Sequence, residues 1–162
     1  MEWIDNIIAG LLETYGTNDP YELCDYLGIK IVKLEPNNIL LRNKDAFYCR
    51  DLENSEIIFI RNDLNEILEK FIISHELGHA LCNTNLLCAA FTFCNKGKIE
   101  KQANYFAFKL SGVKFDETEL QGMTLKQISA YTGIPYEVLI QLFLNWISLI
   151  NLIALFPEVI KQ

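Results

Sequence analysis

Histidine is almost missing from this chain: two occur in 162 residues, so no histidine-rich background exists to generate motifs by chance. Positive charge is also short. Fourteen Lys and Arg face 21 Asp and Glu, for a net charge of −7 and a pI near 4.8. Backbone phosphates are held by Lys/Arg clusters, so direct nucleic-acid binding is not expected. An acidic surface suits a basic protein partner, although it also serves plain solubility. The five cysteines (Cys24, Cys49, Cys82, Cys88, Cys94) form an odd set without a C-x-x-C pair, which excludes a disulfide framework. The spacing of Cys82, Cys88 and Cys94 does not match a zinc finger, and free cysteine usually behaves as a small buried hydrophobe. A reducing cytoplasm is the expected location. The first residues, Met1 to Asn6, lack a basic n-region and are not expected to form a secretory signal. There are no internal repeats or low-complexity tracts.

Apolar residues make up 51% of the chain and charged residues 22%, the composition of a globular domain with a real core. Residues 2–15 read as an amphipathic helix with Trp3, Ile7, Ile8, Leu11 and Leu12 on one face. Pro20 suits the first turn of a second helix, and Gly28 its C-cap. Ile29–Leu34 and Ile57–Ile60 read as strands, Asn38–Arg42 is expected to pair with Ala46–Arg50, and Asp51–Ser55 reads as a turn. The pattern predicts an α+β fold, mainly helical, with a small sheet of about three strands.

The two histidines share one five-residue run, His75-Glu76-Leu77-Gly78-His79, the H-E-x-x-H pattern. Residues four apart lie on one helix face, so both imidazoles can point at one spot. Leu68, Phe71, Ile72, Leu77 and Leu81 recur at helical spacing, with Asn62 or Asp63 as the expected N-cap. Two imidazoles converging from one helix supply most of a catalytic zinc site, and Glu76 stands where a general base acting on water belongs.

Such a site needs a third protein ligand, and no histidine remains to supply it. Glu100 is the best choice. It opens a second helical pattern, Glu100 to Leu110, with Ala103, Asn104, Ala107 and Leu110 on its face. Small residues at Ala103 and Ala107 would let this helix approach the first closely. The alternative is that Glu100 is a first-turn acid complementing the helix dipole. Asp116, Glu117 and Glu119 are poorer ligands in a turn-like stretch. Tyr105 and Tyr131 are candidates for stabilising an oxyanion.

The stretch from Glu69 to Ala80, followed by Glu100-x-x-Ala103-Asn104-x-Phe106-Ala107, resembles the ImmA/IrrE family of metallopeptidases, and its ImmA branch most. The resemblance covers roughly residues 1–140. It implies a zincin-like domain over 1–137, with Zn2+ on His75, His79 and Glu100 and with Glu76 as the catalytic glutamate. It further implies site-specific cleavage of a helix-turn-helix transcriptional repressor of a mobile element or prophage. A strand beside a zincin active site commonly binds substrate backbone, which by analogy points to 46–50 or 56–60. A regulator that binds a repressor without cutting it is the alternative in another class. The intact Glu76 favours the enzyme.

Two C-terminal features compete for other roles. Thr124 to Val138 has the helix–turn–helix pattern, with Gly133 at the turn. Its second segment carries Glu137 and no basic residue before Lys161, which suits a structural hairpin better than a groove reader. Residues 138–156 run 19 positions without a charge, long enough to span a bilayer. Yet Gln141, Asn145, Ser148 and Asn151 form one polar stripe. The expectation is a helix within 138–162 packed on the domain or at a homodimer interface, with a membrane-associated protease as the alternative.

Overall fold

The computed structural model describes residues 1–51, 53, 55–83, 96–113, 120 and 122–147, with the side chains of 96 and 143–147 excepted. The chain divides into two compact units, Met1–Gly112 and Val113–Gln162.

In the first unit, helix α1 (Glu2–Tyr15) and helix α2 (Pro20–Leu27) precede strand β1 (Lys30–Leu34). Pro20 takes the first turn of α2, Asp19 caps it by accepting from the amides of Tyr21 and Glu22, and Gly28 closes it in the left-handed region. Along α1 the buried line is Ile4, Ile8 and Leu11, while Trp3 and Leu12 are exposed. Ile8 and Leu11 hold their expected places and Ile7 packs partly buried against the core, while Ile4 takes the place expected for Trp3 and Leu12 turns outward.

Strands β2 (Ala46–Arg50) and β3 (Glu56–Arg61) complete a three-stranded mixed sheet of order β1-β3-β2. β3 is central: it pairs parallel with β1 (Val32 opposite Phe59) and antiparallel with β2 (Tyr48 opposite Ile58). The expected pairing of 38–42 with 46–50 does not form. Asn38 instead accepts from the Leu40 amide and caps a 3₁₀ turn over Ile39–Leu41, and Arg42 and Asn43 follow with positive φ. Local side-chain capping wins over a strand there. The inner face of the sheet, Ala46, Tyr48, Ile58 and Ile60, is buried with Leu23, Ile73, Leu77, Phe106 and Leu110.

Helix α3 (Glu66–Cys82) is the central element, buried on most sides from Ile73 to Ala80. Its cap is Asn65, which accepts from the Leu68 amide, rather than Asn62 or Asp63. Those two side chains are engaged elsewhere: Asn62 donates to Glu35, and Asp63 pairs with Arg61. The buried carboxylate of Glu69 is held by the Tyr21 hydroxyl and by Lys33 Nζ at 2.8 Å, which ties α3 to α2 and β1. Helix α4 (Lys96–Leu110) packs on α3 through buried Ala103, Phe106, Ala107 and Leu110.

In the second unit, helix α5 (Leu125–Thr132) begins with a capping box between Thr124 and Gln127 and ends at Gly133, φ 72°. Helix α6 (Tyr136–Ile147) follows, so the expected helix, glycine turn and second helix are all present. Among the described residues no helix is long and apolar enough to cross a membrane. The polar stripe beyond Gln141 lies outside the described side chains.

Candidate metal centre

Glu100 and the two histidines meet where α3 and α4 press together. Gly78 permits this approach: a Cβ there would lie 3.1 Å from Ala103 Cα and 3.1 Å from Phe106 Cβ. The glycine inside the motif thus lets α4 lie close enough for Glu100 to reach across. Because α4 starts at Lys96, Glu100 stands more than a turn inside the helix, and the first-turn dipole reading is corrected.

The Nε2 atoms of His75 and His79 are 3.1 Å apart. Glu100 Oε2 lies 3.3 Å from His75 Nε2, and Glu100 Oε1 lies 3.7 Å from His79 Nε2. One donor atom from each residue falls within 4.8 Å of the others. Zinc binds nitrogen and carboxylate oxygen at about 2.0–2.2 Å, which sets donors on a tetrahedron's edges roughly 3.3–3.6 Å apart. The observed spacings lie close to that range, with Glu100 meeting the two rings through different carboxylate oxygens, so a two-nitrogen, one-carboxylate donor set suited to zinc is brought together. It is the only such His/Cys/Asp/Glu group among the described residues.

Side chains at the site perturb one another's ionisation. The His75 and His79 rings beside it hold the Glu100 carboxyl well below the usual carboxylate range, against the opposing effect of burial. Burial disfavours a charged His75, yet Glu100, Glu76 and the amide of Asn104 together raise its pKa above 6.5. His79 is 2% exposed and its Nδ1 has no hydrogen-bond partner.

Glu76 is buried on α3, and its Oε2 accepts from the Tyr48 backbone N–H at 2.7 Å. This bond joins two segments 28 residues apart, and no local pattern announces it. It fixes one carboxylate oxygen of Glu76 against β2. Glu76, His75, His79 and Glu100 line a cleft of about 370 Å³ together with Lys44, Ala46 and Phe47. Lys44 was not anticipated, because only the 3₁₀ turn and β2 carry it to the cleft.

The tyrosine expectation for Tyr105 is corrected: its hydroxyl donates to Asp5 of α1, at 2.9 Å to Oδ1, and burial followed by that bond pushes its pKa up to about 12. Tyr131 is exposed in the second unit. Among the described cysteines, the Cys24 and Cys82 thiols are each pushed up to about 12, chiefly by burial, and stay protonated at neutral pH. Cys88, Cys94, Asp116, Glu117 and Glu119 lie outside the described residues.

A small α+β domain whose central helix offers two histidines to a carboxylate on the neighbouring helix, with an acid beside them in a cleft, is built as a metallopeptidase. The chain belongs to the IrrE N-terminal-like domain family of peptidases, whose model matches residues 24–142. It is 32% identical to Metallopeptidase ImmA of Bacillus subtilis (strain 168) over 141 residues, covering 82% of this chain and 79% of that one. It is also 31% identical to the uncharacterized immunity region protein 2 of Bacillus phage phi105, covering 81% of this chain and 83% of the relative. No solved structure matches it. The fold therefore serves a peptidase that requires a metal and acts on protein.

Proposed function

We propose that this protein is a zinc-dependent endopeptidase that cleaves a helix-turn-helix repressor of a mobile element or prophage. The observation that carries the reading is the convergence of His75, His79 and Glu100 donor atoms beside buried Glu76 in one cleft. His75, His79 and Glu100 hold the metal, and Glu76 is the general base. When bound, zinc would polarise the scissile carbonyl and lower the pKa of water toward neutrality. Glu76 takes the proton of the attacking water and passes it to the leaving amine, with its carboxylate kept in place by the Tyr48 amide. Lys44 is the only cationic side chain among the described residues lining the cleft, and it supports the negative charge that develops on the carbonyl oxygen.

Substrate lies along β2. β3 is paired on both sides, so the 56–60 alternative is closed, whereas β2 is an edge strand among the described residues. Successive N–H groups of a strand point to opposite sides, so the amides of Ala46 and Arg50 face the same outer edge as that of Tyr48, which Glu76 engages. An extended peptide added there runs past the metal.

The choice of a repressor rests on the relatives, one bearing the name ImmA and one belonging to a phage immunity region, and on the net charge of −7, which suits a basic DNA-binding partner. Co-expression with helix-turn-helix repressors encoded beside the gene, followed by mass spectrometry, tests it. One discrete cleavage, lost in Glu100→Ala, is expected. A repressor that is bound but stays whole would leave a non-hydrolytic regulator instead.

A further inference from the structure

A sheet with one face on the core normally turns polar residues to the other. This sheet departs from that rule. Its core face carries Ala46, Tyr48, Ile58 and Ile60, so the alternate side chains Phe47 and Phe59 turn the other way. On β1, Ile31 packs on the core and Val32 therefore faces outward with them. All three are half-buried. Strand register sets them in one row, Val32 opposite Phe59 and Phe59 opposite Phe47. The Phe47 and Phe59 rings stack with centroids 4.9 Å apart and planes at 22°. That contact fixes the Phe47 ring in advance of any ligand. The row ends at edge strand β2, and there Phe47 is itself part of the cleft wall. The other described residues of the wall are Ala46 and five polar or charged ones, so Phe47 is the only large apolar side chain among them.

We propose that Phe47 is a specificity-determining residue: stacked on Phe59, it receives an apolar substrate side chain next to the scissile bond. This role rests on the proposed zinc peptidase site with substrate along β2. A peptide added to that edge turns every second side chain to the Phe47 face. The nearest of them stands about 4.5–5.5 Å away, Cβ to Cβ, within reach of the ring. A ring face offers no ordinary hydrogen-bond partner, so a polar side chain placed on it gives up water without replacement, whereas an apolar one gains.

Peptide hydroxamates chelate zinc and lay their side chains along the cleft, so calorimetric titration of the zinc-loaded full chain tests this. The probes are matched pairs of short alanine peptides that differ only in the residue next to the hydroxamate, leucine or glutamine, which are close in size. One pair carries the chelator at its C-terminal end and the other at its N-terminal end, which samples both sides of the scissile position. Wild type should favour leucine over glutamine by about tenfold or more in one of the pairs. Phe47→Ser should lose that preference, and Phe47→Leu should keep most of it, with urea unfolding confirming that both variants fold. In wild type, nuclear Overhauser contacts should join the leucine methyls of the probe to the Phe47 ring. Equal binding of leucine and glutamine probes by wild type would overturn the subsite and leave the metal site standing. So would a preference that survives in folded Phe47→Ser, or the absence of any contact between the leucine methyls and the ring. Wild type that takes up no zinc, or that holds zinc and binds no hydroxamate, would instead remove the peptidase site, and the subsite with it.

Discussion

Replacing Gly78 with alanine probes the seam on which the whole site depends. The added Cβ would stand 3.1 Å from Ala103 Cα, 3.1 Å from Phe106 Cβ and 3.2 Å from Phe106 Cδ1, where ordinary contact begins near 3.4 Å. None of these atoms can swing aside: Ala103 Cα is backbone, and Phe106 is fully buried. The helices must part by a few tenths of an ångström. Overpacking of this kind costs about 1–3 kcal/mol. Alanine in a helix interior recovers about 1 kcal/mol relative to glycine. The metal-free protein should therefore lose about 1 kcal/mol, read by urea unfolding followed through circular dichroism. Glu100, three residues from Ala103, moves with α4. Productive sites tolerate displacements of about 0.5 Å, so zinc affinity should fall, but by less than roughly tenfold. Gly78→Val drives two further methyl groups into the same seam and should cost more on both readouts. A Gly78→Ala protein that gained the full ~1 kcal/mol of helix propensity and kept wild-type zinc affinity would refute the close approach.

Protons should compete with zinc over a definable range. In the metal-free protein the His75 pKa is raised above 6.5 while Glu100 is held well below the usual range, so His75 must shed a proton to bind and Glu100 need not. Affinity should then rise with pH up to the raised His75 value and level off above it; affinity that falls across that window would contradict the assignment. Tyr105→Phe should lower stability by about 1 kcal/mol, the net worth of one hydrogen bond, and leave cleavage untouched. Loss of cleavage in that folded variant would restore Tyr105 as an oxyanion partner. Lys44→Met should keep zinc and lower kcat by more than it changes KM; an effect on KM alone would make Lys44 a substrate-binding residue.

The parts of the fold visible in the sequence are those with local causes. Pro20 and Gly28 bracket α2, Gly133 marks the turn between α5 and α6, and the histidines four apart announce one face of α3. Glu100 could be reached because helix periodicity put it on a face with Ala103. The misses came from competition that distance in sequence conceals. Asp63 looked like a cap until Arg61 claimed it, and Asn38 capped a turn where a strand was expected. Tyr105 was engaged by Asp5, 100 residues away. The central place of β3 depends on its parallel pairing with β1, which alternation of apolar residues cannot reveal. The amide of Tyr48 on Glu76 was equally hidden, because a backbone donor carries no residue signature.

The central claim is that this chain cuts protein with Glu76 as base at a zinc held by His75, His79 and Glu100. The most direct test measures zinc content and repressor cleavage together in wild type and Glu76→Gln. The glutamine side chain still accepts from the Tyr48 amide through its carbonyl but takes up no proton. The account predicts about one zinc per chain in both proteins, by the three-ligand rule for catalytic zinc. It predicts that cleavage by Glu76→Gln falls roughly 10²-fold or more. Equal cleavage by the two proteins, at equal zinc content, would contradict it.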